Sequence, residues 1–243
     1  MAKSLSIVIP AFNEERNITV AIVSVTEAIR DCVDDYEIIV VNDGSGDRTG
    51  EIAEDLKAKD TRLRVLHNIK NMGFGYSYRT GMTLACKDYI GIFPGDNDMS
   101  ALVLRDLIAA IGQADLITSY MATMRNRSFL RRLLSRSFVF VLNQLFGLKM
   151  KYFNGSFICR LSLLRSIHLR SNGLTVIAEA LIKLLKMGYS YQEICLEHTG
   201  RKQEKSKALT VRSFKETIMF LFFLIKDIYF ESHPSPLPLT NVK

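Results

Sequence analysis

Three short polar segments of the chain each come directly after a run of apolar residues. They are residues 10–14 (Pro-Ala-Phe-Asn-Glu), 42–45 (Asn-Asp-Gly-Ser) and 94–98 (Pro-Gly-Asp-Asn-Asp). Near-continuous apolar runs predict strands of a parallel sheet that is covered on both faces, and ligands bind outside the carboxyl ends of such strands. We therefore expect the three segments to meet at one edge of a sheet and to form the substrate site.

Asp96 and Asp98 form a D-x-D pair in the last of these segments. Two carboxylates at an open sheet edge can bind Mg²⁺ or Mn²⁺, because these hard cations prefer oxygen ligands and keep coordination positions for diphosphate oxygens. The same residues also suit a simple turn. Their position after a strand, opposite Asp43, favours a metal site with Asp98 as the main ligand and Asp96 as the second.

Asp43 lies in the second polar segment and could accept hydrogen bonds from the N–H groups of a uracil or guanine ring. The alternative is a helix cap or a turn. Residues 44–46 (Gly-Ser-Gly) resemble part of a dinucleotide fingerprint, but they follow the second strand and Gly50 comes one position too late. The chain also lacks a Walker motif, so the sequence argues against a nicotinamide enzyme and a P-loop NTPase.

The pattern of apolar residues predicts a doubly wound α/β fold. Strands are expected at 5–9, 36–41, 63–66, 89–93 and 116–118, and helices between them at 14–30, 47–59, 76–87 and 100–111. Beyond these we expect a helix at 128–146, a strand at 156–160, a helix at 174–187 and a strand at 191–196. We expect one α/β domain at 1–210, followed at 211–243 by an apolar helix and a frayed tail.

An apolar block at 217–230 is interrupted by Lys226 and Asp227. Because a bilayer span needs about 20 apolar residues, the block is expected to be a core helix, a partner-docking helix or a helix in the membrane interface. The N-terminus shows no signal-peptide pattern and the four cysteines form no C-x-x-C pair, so we expect a cytoplasmic protein with reduced thiols.

The formal net charge of +7 is unevenly distributed. Between Asp115 and Glu179 there is no acidic residue, while the basic residues there are Arg125, Arg127, Arg131, Arg132, Arg136, Lys149, Lys151, Arg160, Arg165 and Arg170. Such a stretch attracts phosphates of lipids, nucleotides or nucleic acids, or it is a solvated helix face. Its aromatic residues follow a helical spacing rather than a base-stacking platform, so a nucleic-acid-binding module is the weaker alternative.

Together these segments resemble the family 2 glycosyltransferases, within them the dolichol-phosphate mannosyltransferase-like and polyprenyl-phosphate branch. The matching segments are 6–15, 40–47, 71–75 with Arg79 and Gly81, 96–98, 154–157, 178–179 with Gly188 and Tyr189, and Arg201 with 206–207. The chain departs from the family pattern at Asn154, where aspartate is common, at the reversed Gly155-Ser156 pair, and at Glu204 in place of glycine. These departures concern the acceptor and sugar specificity.

The resemblance implies a GT-A fold and the transfer of a sugar from a UDP- or GDP-sugar to a polyprenyl phosphate, with inversion, at the cytoplasmic face of a membrane. The residues it assigns to the nucleotide-sugar are Pro10, Ala11, Asn13, Glu14, Asp43, Gly73, Arg79 and Asp96. Guanidinium groups match phosphate oxygens, and the phosphate-binding candidates are Arg125, Arg127, Arg131, Arg136, Arg201 and Lys207. The expected partners are the donor, the polyprenyl phosphate, a membrane surface and a small membrane protein, with no nucleic acid.

The nature of the acceptor decides whether a general base is needed. A lipid monophosphate has a second pKa of about 6, so its attacking oxygen is already ionised near neutral pH. A hydroxyl acceptor on a glycan would need a base, for which Glu179 is the first candidate; the alternative is a carboxylate on a helix surface. His198 is either a ligand of the metal or diphosphate or a structural residue.

Overall fold

The computed structural model describes residues 3–121, 129–196 and 211–230. Within them the strands are β1 (Ser4–Ala11), β2 (Asp35–Asn42), β3 (Leu63–His67), β4 (Tyr89–Ile92), β5 (Leu116–Met121), β6 (Phe157–Arg160) and β7 (Tyr191–Leu196). The helices are α1 (Ile18–Arg30), α2 (Thr49–Lys57), α3 (Phe74–Leu84), α4 (Ala101–Ala109), α5 (Phe129–Phe146), α6 (Leu161–Arg165), α7 (Thr175–Lys186) and α8 (Val211–Tyr229).

The strands form one seven-stranded sheet in the order β3-β2-β1-β4-β6-β5-β7. All neighbours are parallel except β6, which runs antiparallel to β4 and to β5. The predicted α/β fold is therefore confirmed. From β1 the chain moves outward to β2 on one side and later returns to β4 on the other, so the sheet has its switch point between β1 and β4, where α/β sheets bind ligands.

Alternate residues of the central strands pack into two hydrophobic cores, one on each face of the sheet. In β1, Ile7 and Ile9 belong to the core formed with α1 and α4, whereas Val8 belongs to the core formed with α3, α5 and α7. Both faces are thus covered, which explains why the strands are apolar at nearly every position. Each fully buried aliphatic side chain contributes about 1.5–3 kcal/mol.

The C-terminal helix α8 packs on the second of these cores rather than standing apart from the domain. Phe220 and Leu224 are buried in the same cluster as the side chains of α7. The predicted apolar block thus forms the second half of a longer helix. Among the described residues, no helix is long and apolar enough to cross a bilayer. The boundary proposed at residue 210 remains a prediction.

The first helix begins later than its sequence pattern predicts. A helix was expected from residue 14, but α1 starts at Ile18. The reason is local: Asn13 has a left-handed φ of 57°, and the backbone N–H of Glu14 donates to Thr49 Oγ1 at 2.7 Å. Contacts with the next βα turn therefore hold these residues in a loop at the end of β1.

Candidate functional site

A cavity of about 630 Å³ opens at the carboxyl ends of β1 and β2, close to the switch point of the sheet. It is lined by Pro10, Ala11, Phe12, Asp43, Asn71, Met72, Gly73, Phe74, Arg170, Ser171, Asn172, Gly173, Thr175, Glu179, Met219, Phe220, Phe223 and Leu224. The volume is typical of a small-molecule site. Four of the predicted nucleotide-sugar residues (Pro10, Ala11, Asp43 and Gly73) lie in its wall.

The turns after β1 and β2 are joined by hydrogen bonds. Asn13 Oδ1 accepts from the backbone N–H of Gly46 at 2.9 Å, and the N–H of Asn13 donates to Ser45 Oγ at 3.0 Å. The N–H of Asp43 donates to the carbonyl of Ala11 at 2.8 Å. Asn13 was predicted to contact the donor, but in this structure it holds the two turns together beside the cavity and does not line it.

The backbone N–H groups of Glu14 and Glu15 extend this connection between the two turns through Thr49 and Asp47. The N–H of Glu15 donates to Asp47 Oδ2 at 3.1 Å, and Asp47 Oδ1 accepts from the N–H of Thr49 at 3.0 Å. Burial acts against the charged form of Asp47, but the hydrogen bonds from Thr49 and Glu15 outweigh it and lower the pKa of Asp47. Like Asn13, Glu14 does not line the cavity, and the predicted donor contacts of both residues stay predictions.

Asp43 is buried at the cavity wall and holds the loop that precedes α3. Its Oδ1 accepts from Asn68 Nδ2 at 2.7 Å and from the N–H of Met72 at 2.9 Å, and its Oδ2 accepts from the N–H of Gly73 at 2.8 Å. A carboxylate offers about four acceptor positions. Among the described contacts one position is therefore left on Oδ2, and it is the one that a ligand N–H could use.

Gly73 lies where the loop before α3 meets residues 170–173, and its φ of 101° is left-handed. A Cβ there would lie 2.5 Å from the carbonyl oxygen of Asn172. That same carbonyl accepts from the N–H of Gly75 at 2.7 Å. Only glycine allows this close approach, through which the two loops form a continuous cavity wall.

Arg79 of α3 contacts the loop 169–172. Its guanidinium donates to the carbonyl of Leu169 at 2.9 Å and to Asn172 Oδ1 at 2.7 Å. It does not line the cavity. Arg79 therefore holds the loop 169–172 beside the cavity, and its predicted contact with the nucleotide-sugar stays a prediction.

The D-x-D turn lies beside the cavity wall with both carboxylates exposed. The N–H of Gly95 donates to the carbonyl of Pro10 at 3.2 Å, which fixes the turn against the end of β1. Asp96 Oδ1 accepts from the N–H of Asp98 at 3.0 Å, a hydrogen bond of the kind that the simple-turn alternative predicts. Within the described ranges no group of three or more His, Cys, Asp or Glu side chains is gathered as a metal cage.

Glu179 is buried rather than placed on a helix surface. Its carboxylate accepts from the N–H groups of Arg170 at 3.0 Å and of Ser171 at 2.8 Å, and from Lys183 Nζ at 2.9 Å. A general base needs a lone pair directed at the acceptor hydroxyl, whereas those of Glu179 face the loop and the lysine. Glu179 thus holds the loop 170–173, and its role as the base for a hydroxyl acceptor stays a prediction.

Lys183 connects Glu179 to the C-terminal helix. Besides Glu179, its ammonium donates to Asp227 Oδ2 at 2.6 Å and to the carbonyl of His168 at 2.6 Å. Arg170 Nη2 lies 3.4 Å from Asp227 Oδ1. Glu179, Lys183 and Asp227 are each no more than 4% exposed. We call Arg170, Glu179, Lys183 and Asp227 the buried ion network; it fixes α8 against α7 and the cavity wall.

Sequence reasoning missed Arg170 and Asp227. The available signals were the i,i+4 spacing of Glu179 and Lys183 and a carboxylate within an apolar helix. Of the phosphate-binding candidates, Arg136 lies exposed on α5 and does not line the cavity. Arg131 belongs to α5, but its side chain is not described. The remaining candidates, which lie outside the described residues, are Arg125, Arg127, Arg201 and Lys207. His198 lies outside them as well.

A family model named Glycosyl transferase family 2 matches residues 6–177 of the chain. The "uncharacterized glycosyltransferase EpsJ" of Bacillus subtilis (strain 168) is 39% identical over 48% of this chain and 33% of its own length. Dolichol-phosphate mannosyltransferase of Pyrococcus furiosus is 28% identical over 74% of this chain and 52% of its own. Dolichyl-phosphate beta-glucosyltransferase of Mus musculus is 34% identical over 33% of this chain and 27% of its own. The chain thus matches about half or less of each relative.

Crystal structures of glucosyl-3-phosphoglycerate synthase from Mycobacterium tuberculosis share the fold. The complex with Mn²⁺, uridine diphosphate and phosphoglyceric acid superposes with a TM-score of 0.70 at 20% identity, covering 91% of this chain and 78% of the other. The complex with Mg²⁺ and uridine diphosphate gives a TM-score of 0.69 at 19% identity, over 90% of this chain and 79% of the other. At this identity the likeness establishes the GT-A fold, as predicted.

Proposed function

The chain belongs to glycosyltransferase family 2, and we propose that it transfers a sugar from a UDP- or GDP-sugar to a polyprenyl phosphate at the cytoplasmic face of a membrane. The observation that carries this proposal is the composition of the cavity. Its wall has a polar part, with Asp43, Asn71, Ser171 and Asn172, and an apolar part, with Met219, Phe220, Phe223 and Leu224 of α8. A nucleotide-sugar fits the first half, and an acceptor with an apolar body fits the second.

The donor would bind at the polar half. The remaining acceptor position of Asp43 suits an N–H group of uracil or guanine, and the loop 71–73 that Asp43 holds forms the adjoining wall. The binding of uridine diphosphate by the Mycobacterium tuberculosis enzyme agrees with a nucleotide donor.

Asp96 and Asp98 would hold a Mg²⁺ or Mn²⁺ ion. Their exposed oxygens suit a hard cation, and the related structures contain Mn²⁺ or Mg²⁺. A bound metal would offset the negative charge that develops on the departing diphosphate. Because the turn is fixed against Pro10, this charge would lie next to the donor half of the cavity.

The hydrogen bonds that the Glu179 carboxylate already accepts support a phosphate acceptor over a hydroxyl acceptor. A lipid monophosphate is ionised near neutral pH, since its second pKa is about 6, and attacks without a strong base. The most obvious base candidate is occupied by two backbone N–H groups and by Lys183. The named activities of two relatives, on dolichol phosphate and dolichyl phosphate, agree with this acceptor class.

Donor binding can be tested by a thermal-shift screen of UDP- and GDP-sugars with Mn²⁺ and with chelator, because a ligand that binds only the folded state raises its stability. Replacing Asp43 by alanine is expected to weaken donor binding about 10- to 100-fold. The reason is the loss of hydrogen bonds to a charged acceptor, each worth about 1.5–3 kcal/mol, to the ligand and to the loop 71–73.

Asp55→Asn, an exposed carboxylate of α2, is the matched control and should bind the donor like the original chain. Failure of every nucleotide-sugar to stabilise the unaltered protein would refute the proposed function. Equal affinities of the Asp43→Ala and Asp55→Asn variants would refute the role of Asp43 alone.

The membrane part of the proposal is supported by the outer surfaces of α5 and α8. The two helices pack through Phe138 and Phe220, with ring centroids 6.5 Å apart, and through Phe146 and Tyr229 at 6.2 Å. Their exposed apolar side chains, which we call the α5–α8 surface, are Phe129, Leu133, Leu134, Phe140, Val141, Leu145, Ile218, Met219, Phe222 and Tyr229. Arg136 and Lys226 are exposed on the same helices, so the surface combines apolar and basic groups, as interfacial helices do.

We expect the protein to bind anionic vesicles and to lose that binding as salt rises, since 1 M salt shortens the screening length to about 3 Å. Replacing Phe140 and Phe222 by serine should weaken binding at least about tenfold, because a buried Phe contributes about 1.5–3 kcal/mol. Vesicle flotation measures both effects, with Asp55→Asn as the control. Salt-insensitive flotation, or no binding by the unaltered protein, would contradict membrane binding by the α5–α8 surface. A small membrane-protein partner would then be the remaining explanation for a membrane location.

A further inference from the structure

A chain of hydrogen bonds joins helix α2 to the turn after β2 by way of a histidine at the end of β3. His67 Nε2 lies 3.1 Å from Glu54 Oε1, and His67 Nδ1 lies 3.1 Å from Asn42 Nδ2. The Asn42 amide also accepts from the backbone N–H of Ser45 through its Oδ1, at 3.1 Å. Since Asn42 is 7% exposed, the chain connects the surface of α2 to a buried amide at the end of β2.

These contacts determine which nitrogen of the His67 ring carries the proton. A backbone N–H can only donate, so the contact with Ser45 requires the oxygen of the Asn42 amide and directs its NH₂ group towards His67. Because an NH₂ group also donates, His67 Nδ1 is the unprotonated nitrogen, and Nε2 carries the proton and donates to Glu54. Hydrogen bonds from Lys57 and His67 lower the pKa of Glu54, which agrees with an ionised acceptor for that proton.

A second proton on the ring would disturb one side of this chain. Nε2–H donates to Glu54 in both protonation states, whereas a protonated Nδ1 would place an N–H against the NH₂ group of Asn42, and neither group can accept. In the described contacts the charged groups near the ring are Glu54, which attracts the charged form, and Lys57, which weakens this attraction by pairing with Glu54 at 2.9 Å. The His67 side chain is 44% exposed and can therefore take up a proton from solvent at the expense of its contact with Asn42.

The contact between His67 and Asn42 is closely packed against the first turn of α2. A Cβ on Gly50 would lie 2.6 Å from Asn42 Nδ2 and 3.1 Å from His67 Cε1. When Nδ1 is protonated, either the Asn42 amide rotates and gives up the N–H of Ser45, or the ring swings outward and leaves the buried NH₂ group without its acceptor. The turn at residues 42–46 loses a hydrogen bond that supports it in both cases.

We propose that His67 is a positioning residue for donor binding: its neutral ring holds the turn 42–46 through Asn42, and protonation of the ring releases the turn and weakens binding of the nucleotide-sugar. Asp43, the residue proposed to bind the base, directly follows Asn42 in this turn. Ser45 Oγ accepts from the N–H of Asn13, so the same turn also supports the end of β1. The inference rests on the proposed function, since it assumes that the donor binds at this turn.

The test compares donor affinity at about pH 8 and about pH 5.5, since the charge of histidine ordinarily changes within this range. The probes are UDP-glucose and GDP-mannose with Mg²⁺, because their phosphates are esterified and stay ionised at both pH values; calorimetry on the full chain measures binding. We expect the unaltered protein to bind the preferred probe about fivefold to tenfold less tightly at the lower pH, the size of effect that one hydrogen bond produces.

Two variants separate His67 from other causes of pH dependence. His67→Asn keeps an oxygen that can accept from Asn42 near the position of Nδ1 but takes up no proton, so it should bind the probe within about twofold at the two pH values. His168→Gln, which changes an exposed histidine side chain, is the matched control and should keep the pH dependence of the unaltered protein. Equal pH dependence of the His67→Asn variant and the unaltered protein would overturn the inference.

A second measurement needs neither a donor nor a variant. Nitrogen NMR of the unaltered protein should show His67 Nδ1 unprotonated and Nε2 protonated at about pH 8, and the protection of the Ser45 N–H against hydrogen exchange should fall at about pH 5.5. A proton on Nδ1 at the higher pH, or unchanged protection of Ser45, would also overturn the inference. This measurement remains decisive even if neither nucleotide-sugar binds, a result that would refute the proposed function instead.

Discussion

Replacing Asp98 by alanine is expected to lower the rate of sugar transfer at least about a thousandfold while leaving the melting temperature nearly unchanged. Loss of a single group that stabilises developing negative charge typically costs a factor of about 10²–10³, and loss of the metal adds to it. Substitution of an exposed residue usually changes the free energy of unfolding by less than about 0.5 kcal/mol. Asp98 is exposed in the turn after β4.

The measurement is transfer from a labelled nucleotide-sugar across a Mn²⁺ titration. Asp106→Ala, which removes an exposed carboxylate of the following helix α4, is the matched control and should retain full activity. Undiminished transfer by the Asp98→Ala variant in the presence of chelator would eliminate the metal assignment.

Replacing Lys183 by methionine is expected to destabilise the protein by about 3–5 kcal/mol, the usual cost of removing one partner from a buried ion pair. The change would leave the carboxylates of Glu179 and Asp227 buried without the ammonium that lies 2.9 Å and 2.6 Å from them. Urea denaturation measures the effect. Lys186→Met, an exposed lysine at the end of the same helix, is the control and should cost less than about 1 kcal/mol.

The double variant Lys183→Met with Asp227→Leu separates charge from packing. Replacing a buried ion pair by apolar residues of similar volume is often neutral, so the second change should recover much of the lost stability. An interaction energy of about 1–3 kcal/mol between the two positions is expected for residues in contact. Simple additivity of the two changes, or a cost for Lys183→Met no larger than for Lys186→Met, would contradict the buried ion network.

The sequence predicted the α/β fold, most strands to within a few residues, and the meeting of the turns after β1, β2 and β4. These features depend on local patterns and on general rules of sheet topology. Apolar runs mark buried strands wherever they pair, and the carboxyl ends of parallel strands necessarily share an edge. Asp43, Asp96 and Asp98 could thus be placed at one edge from their position after a strand.

The roles of Arg79, Arg170, Glu179 and Asp227 could be decided only by the tertiary structure. Whether a charged side chain faces a ligand, solvent or another charge depends on partners far away in the chain: Arg79 binds Asn172, and Asp227 binds Lys183. Residue type and spacing along the chain do not reveal these partners. The free energy of a charged side chain depends on its burial and on the neighbours that it meets when buried. The sequence therefore determined at which strand ends the site lies, and tertiary packing decided which charged residues there face the cavity.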